Sequence, residues 1–191
     1  MSRDTTSQAF FDRIYRTNAD PWNFASSKYE ISRYQIILEA LGDYRFEHAF
    51  EPGCSIGVLT EQLAARCNRV DAMDISPRAV ELAKERCRNL TNVHITCGSL
   101  LHPNMGDSFD LIMFSEIGYY FEESVLRLAI LKLIGLMQPS GTLIAAHWLG
   151  SSPDHLLSGD DVHDIIGTID GLTHIHSERR TGFRIDRWSR R

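Results

Sequence analysis

Apolar residues along the chain follow two alternating spacings. Between Tyr29 and Leu41 they recur every three or four positions, which predicts a helix that ends at Gly42. Elsewhere they form short runs, and the clearest is FDLIMFS at Phe109–Ser115, as is typical of a strand buried on both faces. Strand-like and helix-like segments succeed one another along most of the sequence.

The remaining elements follow from the same spacings. The predicted strands are His48–Glu51, Arg69–Asp74, Val93–Cys97, Phe109–Ser115, Thr142–Trp148, Thr173–Glu178 and Gly182–Trp188. The predicted helices are Tyr29–Leu41, Val58–Cys67, Ser76–Asn89, Glu123–Met137 and Asp161–Ile169. This alternation indicates an α/β fold with a mostly parallel sheet and helices on both faces, in which the last two strands form an antiparallel hairpin.

The 191 residues contain no internal repeat and no long linker, so we expect a single domain over residues 1–191. Its predicted core is formed by residues 29–191. Residues 1–28 are polar and mixed in pattern, and we expect them to form a flexible lid.

Composition narrows the classes of function. A net charge of −5 and a pI near 5.9 argue against a surface that holds nucleic acid or polyphosphate by excess positive charge. The cysteines contain no CxxC pair, so we expect neither a disulfide framework nor a metal site. The chain shows no secretory pattern and no apolar stretch of about 20 residues, so we expect a cytoplasmic protein without a membrane span.

A turn that contains two glycines follows the first predicted strand, in the sequence EPGCSIG (Glu51–Gly57). Gly53 and Gly57 permit close approach of a ligand to the backbone, although the turn alone is also explained as a helix cap. Only the first glycine of the dinucleotide pattern GxGxxG is present, and a carboxylate about 4 Å from a pyrophosphate costs several kcal/mol. The Glu51 carboxylate instead suits a ligand with a positive charge.

A second carboxylate, Asp74, ends the second predicted strand 23 positions after Glu51 (74 − 51). Asp74 can accept hydrogen bonds from two ribose hydroxyls, or it can instead cap the helix that begins at Pro77. Together with Glu51 and the turn, it indicates a nucleoside that carries a cation and lacks phosphates.

The order and spacing of these features resemble the class I S-adenosylmethionine-dependent methyltransferases. The matching segments are EPGCSIG (Glu51–Gly57), VDAMDIS (Val70–Ser76), GSL (Gly98–Leu100), FDLIMFSEIGYYF (Phe109–Phe121) and LMQPSGTLIAAHW (Leu136–Trp148). The resemblance implies a Rossmann-like class I methyltransferase fold with a mostly parallel, seven-stranded sheet. It also implies an enzyme that uses S-adenosyl-L-methionine and releases S-adenosyl-L-homocysteine.

Within that family the chain is most similar to the NodS N-methyltransferases of rhizobia. The segments that carry this similarity are DPWNF (Asp20–Phe24), KYEISRY (Lys28–Tyr34), EPGCSIGVLTEQLA (Glu51–Ala64) and SEIGYYF (Ser115–Phe121). The similarity implies methylation of the free amine on the terminal, de-N-acetylated glucosamine of a chitooligosaccharide, in Nod factor synthesis. Ser55 departs from the family pattern, which usually has glycine there, and Ser99 stands where an aspartate often contacts the adenine amino group.

The resemblance implies that residues of the first turn hold the methionine part of the cofactor: Glu51, Gly53, Cys54, Ser55 and Gly57. Arg33 is expected to reach the cofactor carboxylate, with a solvated helix face as the alternative. Trp22 is expected to close over the cofactor and Tyr29 over the substrate.

The adenosine part of the cofactor is implied to lie against residues that follow the second and third predicted strands. Asp74 binds the ribose, and Ile75 and Leu100 enclose the adenine. Gly98 and Ser99 line its polar edge.

Ser115 and Glu116 follow the fourth predicted strand and are implied to face the methyl group. Transfer requires an unprotonated amine, and Glu116 is the first candidate for the base, followed by His147 and Tyr120. Two alternatives stay open: Glu116 as the cap of its own loop, and His147 as a hydrogen-bonded core residue.

Tyr119 and Trp148 are expected to offer flat faces to sugar rings, with core packing as the alternative. The partner is then an oligosaccharide or another small amine and not a nucleic acid, and the chain is a monomer or weak dimer. The arginines between Arg179 and Arg191 are interpreted as charge that protects an edge hairpin, the alternative being a basic strip for an anionic partner. A methyltransferase for a different nucleophile and a non-catalytic nucleoside-binding module remain as alternative functions.

Overall fold

A computed structural model describes residues 7–103, 106 and 108–191. The described chain divides into two compact units, an N-terminal unit of Ser7–Ser99 and a C-terminal unit that begins at Leu100 and ends at Arg191. Residues 1–6 of the expected lid lie outside the described residues. None of the described helices is long and apolar enough to cross a bilayer.

Helices and strands alternate along both units. The helices are α1 (Gln8–Thr17), α2 (Lys28–Glu39), α3 (Val58–Leu63), α4 (Pro77–Arg86), α5 (Glu123–Leu136) and α6 (Gly159–Gly167). The strands are β1 (Phe46–Pro52), β2 (Cys67–Asp74), β3 (Val93–Cys97), β4 (Phe109–Ser115), β5 (Met137–Trp148), β6 (Leu172–Arg180) and β7 (Phe183–Arg190). A short 3-10 helix, Gly118–Tyr120, follows β4.

In the described residues the strands form a seven-stranded sheet in the order β3-β2-β1-β4-β5-β7-β6. The pairs β1–β2, β2–β3 and β4–β5 are parallel, whereas β7 runs antiparallel to both β5 and β6. The predicted mostly parallel sheet with a closing antiparallel hairpin is therefore confirmed.

In the N-terminal unit, α4 packs against β2 and β3 and fixes the glycine turn. The helix starts where predicted, because the Ser76 hydroxyl accepts the N–H of Ala79 and Pro77 occupies the first turn. A Cβ on Gly57 would lie 3.1 Å from the Cβ of Ala83, and Gly57 has a φ of +78°. Glycine is required at position 57 both for close packing and for the backbone conformation.

The segment expected to be a flexible lid contains α1, a helix that the sequence analysis does not predict. Its apolar stripe is limited to four residues between polar flanks: Phe10, Phe11, Ile14 and Tyr15. α1 packs against α4, and the Asp12 carboxylate accepts hydrogen bonds from the Ser76 hydroxyl (3.1 Å) and the Arg78 N–H (3.0 Å). The described part of this segment is thus joined to the rest of its unit.

In the C-terminal unit, β5 begins earlier than predicted. Phe109 of β4 pairs with Met137 and Leu111 with Thr142, so residues 138–141, which lie between the predicted helix and the predicted strand, form a bulge within β5. The extra residues leave the ladder locally, and pairing resumes beyond them.

Carboxylates accompany the arginines of the C-terminal hairpin. The Arg184 guanidinium lies 2.8 Å from the carboxylate of Asp164 and 2.8 Å from that of Asp186. Arg179 pairs with Asp160. This compensation of charge supports the interpretation of a protected edge over that of a basic strip.

Candidate active site

Glu51 lies at the carboxyl end of β1, and its side chain is buried. The Thr60 hydroxyl of α3 donates a 2.6 Å hydrogen bond to its carboxylate. Burial raises the pKa of Glu51 to about 8; the Thr60 hydrogen bond opposes this shift and the Asp74 carboxylate adds to it. The surroundings of Glu51 therefore disfavour its negative charge, and a bound cation would favour it.

Asp74 ends β2 and accepts hydrogen bonds from the backbone amides around it. One carboxylate oxygen accepts the N–H of Ser55 at 2.9 Å, and the other accepts the N–H of Ser76 at 2.8 Å. Burial raises the pKa of Asp74 to about 6, although hydrogen bonds from the backbone amides of Ser76, Ser55 and Ile75 oppose the shift. Because a carboxylate has about four lone-pair sites, these three amides leave capacity for a ribose hydroxyl.

Ser55 has a φ of +51°, the left-handed conformation that favours glycine. The structure therefore explains why the family pattern has glycine here. The Ser55 hydroxyl accepts a 2.7 Å hydrogen bond from the hydroxyl of Tyr15, so the side chain at this position links the turn to α1.

The other predicted cofactor residues of the N-terminal unit lie in two places. The Gly98 N–H donates to the Asp74 carbonyl at 2.9 Å, so the residues after β3 stay beside the end of β2; Ile75 and Ser99 are both partly exposed there. Arg33 on α2 is 1% exposed and pairs with Glu30.

The aromatic residues expected to close over the site lie on and before α2. The ring of Trp22 lies 5.6 Å from those of both Tyr15 and Phe24. Tyr29 is 39% exposed, so its ring is accessible to solvent.

The end of β4 carries two residues with contrasting partners. Ser115 Oγ is buried and has no hydrogen-bond partner among the described residues. Glu116 has a φ of +59°, and its two carboxylate oxygens accept the Trp148 N–H (2.8 Å) and the Tyr119 hydroxyl (2.5 Å). Glu116 thus orients its loop, as the alternative interpretation expected, while its side chain stays partly exposed.

His147 is fully buried, and both of its ring nitrogens are engaged. The Gly118 N–H donates to Nε2 at 3.0 Å, so the ring proton lies on Nδ1, which faces His163 Nε2 at 3.1 Å. His163 Nδ1 then donates to the Asp186 carboxylate at 2.8 Å. This buried hydrogen-bond chain favours the core-histidine interpretation of His147 over a role as base.

Tyr120 is also buried. Burial raises the pKa of Tyr120 well above its ordinary value, and the charges of Asp154 and Glu116 add to this shift. The hydroxyl therefore keeps its proton at neutral pH, which makes Tyr120 a poor acceptor of protons.

His155, a residue that the sequence analysis does not single out, joins the predicted aromatic side chains. Its imidazole stacks on the Tyr119 ring with centroids 3.7 Å apart. The edges of Tyr120 and Trp148 meet it at 5.2 Å and 6.1 Å. His155 lies in a polar connection without periodic pattern, so nothing in the sequence indicates this placement.

These donors and acceptors fit the cofactor that the resemblance implies. Two buried carboxylates with raised pKa values favour a positively charged nucleoside over a phosphorylated one. Leu100 is buried at the start of the C-terminal unit, where its expected contact with adenine stays a prediction. Among the described residues no group of three His, Cys, Asp or Glu side chains is arranged to hold a metal ion.

Comparison with protein families decides the relationship of this chain. The family model described as Nodulation protein S (NodS) matches residues 8–159. The chain belongs to the NodS family. Nodulation protein S from Bradyrhizobium diazoefficiens is 32% identical to it over 140 residues, which are 72% of this chain and 65% of that relative. This NodS-family chain therefore spans less than two thirds of the length of that curated relative.

Solved structures confirm the fold of this NodS-family chain. One is the crystal structure of N-methyltransferase NodS from Bradyrhizobium japonicum WM9 in complex with S-adenosyl-L-homocysteine, with a TM-score of 0.85 and 24% identity over 98% of this chain and 99% of that one. Another is a putative methyltransferase from Pseudomonas syringae, with a TM-score of 0.73 and 32% identity over 86% of this chain and 100% of that one. The predicted class I methyltransferase fold is confirmed.

Proposed function

We propose that this protein is an S-adenosyl-L-methionine-dependent N-methyltransferase. The observation that carries the proposal is the pair of buried carboxylates, Glu51 and Asp74, at the ends of neighbouring parallel strands beside the glycine turn. When such groups ionise they attract a cationic nucleoside, whereas a pyrophosphate would oppose their ionisation. Membership of the NodS family supports the same cofactor.

The N-terminal unit is proposed to hold the cofactor, which supplies an electrophilic methyl group on a positively charged sulfur. The remaining hydrogen-bonding capacity of Asp74 is available to a ribose hydroxyl, and Glu51 compensates positive charge. The buried guanidinium of Arg33 is proposed to take the cofactor carboxylate, with Gly98 and Ser99 along the adenine edge.

The C-terminal unit is proposed to present the acceptor. Trp148 is partly exposed and supplies aromatic surface, whereas Tyr119 and Tyr120 are buried, as the core-packing alternative expected. Glu116 is the partly exposed member of the three predicted base candidates. A carboxylate that two donors hold in place is suited to orient an ammonium group. Since methyl transfer is an in-line displacement, most of the rate is expected to come from such alignment.

The proposed acceptor is the free amine of the terminal, de-N-acetylated glucosamine of a chitooligosaccharide. The NodS relationship and the partly exposed ring of Trp148 support it, because flat rings stack on the faces of sugars. The proposed role is the N-methylation step of Nod factor synthesis.

The test is transfer of labelled methyl groups from S-adenosyl-L-methionine to a panel of chitooligosaccharides with and without a free terminal amine. We expect transfer only to the deacetylated members. Transfer to a hydroxyl or carboxylate acceptor instead would identify a different methyltransferase. Binding of S-adenosyl-L-homocysteine without transfer to any acceptor would indicate a non-catalytic nucleoside-binding module.

A further inference from the structure

The loop after β5 holds His155 firmly in the aromatic cluster. The Leu156 N–H, one residue along, donates a 2.7 Å hydrogen bond to the Tyr119 carbonyl. The Ser152 hydroxyl donates to the Asp154 carboxylate within the same loop. With its ring stacked on Tyr119, the His155 side chain therefore has a defined position rather than a choice of rotamers.

The His155 imidazole has one ring nitrogen without a partner. Nδ1 is buried, and no hydrogen bond reaches it from the described residues. An unsatisfied buried polar atom costs about 1–3 kcal/mol, a cost that folded proteins rarely retain without a function. Since Nδ1 is buried, the edge of this partly exposed ring that carries Nε2 is the part that a ligand N–H can reach.

The surroundings of His155 suit a neutral ring that can accept a proton. Burial lowers the pKa of His155, while Asp154 from its own loop and Glu116 from the end of β4 oppose the shift. Among the described residues, the titratable side chains of Tyr119 and Tyr120 also contact the His155 ring. Once formed, the imidazolium would be stabilised by the two carboxylates and by the face of the Tyr119 ring.

We propose that His155 is the base that removes a proton from the acceptor ammonium, and that Glu116 orients this ammonium. The inference rests on the proposed function and adds a catalytic residue to it. One N–H bond of the ammonium breaks and its proton binds Nε2, which leaves the electron pair on the amine nitrogen. That pair forms the bond to the methyl carbon as the carbon–sulfur bond breaks, with its electrons remaining on sulfur. The proton then passes from the partly exposed imidazolium to solvent.

The experiment compares His155→Gln with His176→Gln, a control on a half-exposed histidine of β6 that pairs with Glu178. At pH 7 we expect His155→Gln to lower kcat by at least about a hundredfold, as is typical for loss of a general base. The ratio of the parent kcat to that of His155→Gln should fall as the pH approaches the pKa of the acceptor amine. A growing fraction of the amine is then already deprotonated in solution and needs no base. The control should keep the parent rate throughout.

Binding measurements separate this role from a structural one. The affinity of His155→Gln for S-adenosyl-L-homocysteine and its melting temperature should match those of the parent. A kcat within threefold of the parent at pH 7 would overturn the inference while methyl transfer itself stands. Equal losses of turnover, cofactor affinity and melting temperature would also overturn it, because they indicate a packing role.

A titration of the unaltered protein by NMR provides a readout that does not depend on turnover. The Cε1–H resonance of His155 should report a pKa below 6.5, and addition of a deacetylated chitooligosaccharide should shift this resonance. A resonance that does not respond to the oligosaccharide would overturn the inference. Absence of transfer by the parent enzyme would instead count against the proposed function.

Discussion

A buried carboxylate such as Glu51 is unfavourable for the protein without its ligand. The pKa of about 8 means that folding disfavours the ionised form of this side chain. For an acid whose pKa is raised on folding, the free energy of unfolding falls as the pH rises from the unfolded value, about 4.3, to the folded one. The cation that the site is proposed to bind would reverse this effect.

The substitution Glu51→Gln is expected to raise the melting temperature of the ligand-free protein at pH 8 by several degrees, since about 1 kcal/mol shifts it by roughly 2–4 °C in a chain of this size. The gain should vanish near pH 4.5, where the parent carboxyl is protonated as well. The same variant should bind S-adenosyl-L-methionine more weakly, and calorimetry and thermal melts between pH 4.5 and 8 measure both effects.

Glu61→Gln is the matched control, because Glu61 lies on α3 near the same turn but is half-exposed and pairs with Arg86. This control should change neither the melting temperature nor the affinity for S-adenosyl-L-methionine. A lower melting temperature for Glu51→Gln at pH 8, together with unchanged cofactor affinity, would contradict the role given to this carboxylate.

Glu116 is expected to act on the acceptor and not on the cofactor. Glu116→Gln keeps an oxygen that can accept the Trp148 N–H, yet it removes the charge that orients an ammonium. Turnover should fall roughly a hundredfold, whereas affinity for S-adenosyl-L-homocysteine should stay within twofold. Steady-state kinetics and calorimetry test this, with exposed Glu122→Gln as the control. Loss of cofactor affinity with intact turnover would show the assignment to be wrong.

At the scale of elements, the hydrogen-bond chain of His147, His163 and Asp186 connects β5, α6 and β7. It ends on the backbone N–H of Gly118, the first residue of the 3-10 helix. The loop that carries Glu116 and Tyr119 is therefore held by three elements of its unit. Its position depends on close packing at Gly118.

Gly118→Ala is expected to destabilise the protein. The new methyl group would lie 2.5 Å from Val162 Cγ1 and 3.0 Å from Phe114 Cε1, so these buried side chains must move. Overpacking of this kind costs about 1–3 kcal/mol. Gly135→Ala is the matched control, because nothing lies within 4 Å of its Cβ on α5 and alanine favours a helix. In urea, the free energy of unfolding of Gly118→Ala should be lower than that of the parent, and that of Gly135→Ala should equal or exceed it. Equal values for both variants would contradict the packing argument.

Elements with a strong local pattern are predictable from the sequence. β4 has the predicted bounds because its apolar run lies between Ser108 and Glu116, and β3 because its alternating pattern lies between Asn92 and Gly98. α3 ends at Leu63 and not at Cys67, because Cys67 pairs with β1 and begins β2. Pairing of this kind depends on a distant strand, which periodicity does not reveal.

The candidate site likewise contains residues that the sequence predicts and residues that only the fold brings together. Glu51 and Asp74 are recognisable because each ends a strand beside a turn. His155 is not, because its neighbours Tyr119 and Trp148 come from distant positions in the sequence and meet it only in the fold. The engagement of His147 likewise depends on α6 and β7.

For the molecule as a whole, acidic residues outnumber basic ones by five (25 − 20). The arginines of the C-terminal hairpin, where positive charge is concentrated, have carboxylate neighbours such as Asp160 and Asp164. Little uncompensated positive charge is then available to displace the counterions of a nucleic acid.

The protein is accordingly expected not to bind RNA or DNA at physiological salt. Fluorescence anisotropy with labelled single-stranded and duplex RNA should show no saturable signal at protein concentrations in the micromolar range. The double variant Asp160→Asn, Asp164→Asn removes carboxylates from the hairpin arginines and should bind more than the parent. Micromolar binding by the parent with a steep salt dependence would contradict this expectation.

The hydroxyl pair of Tyr15 and Ser55 has a practical consequence. A polar, weakly patterned leader is commonly removed when a shorter version of a protein is prepared for crystals. Here, cutting before α2 would delete Tyr15 and Asp12 and leave Ser55 of the glycine turn, with its positive φ, without this hydrogen bond. The ligand affinity of such a shortened protein would then describe a different molecule.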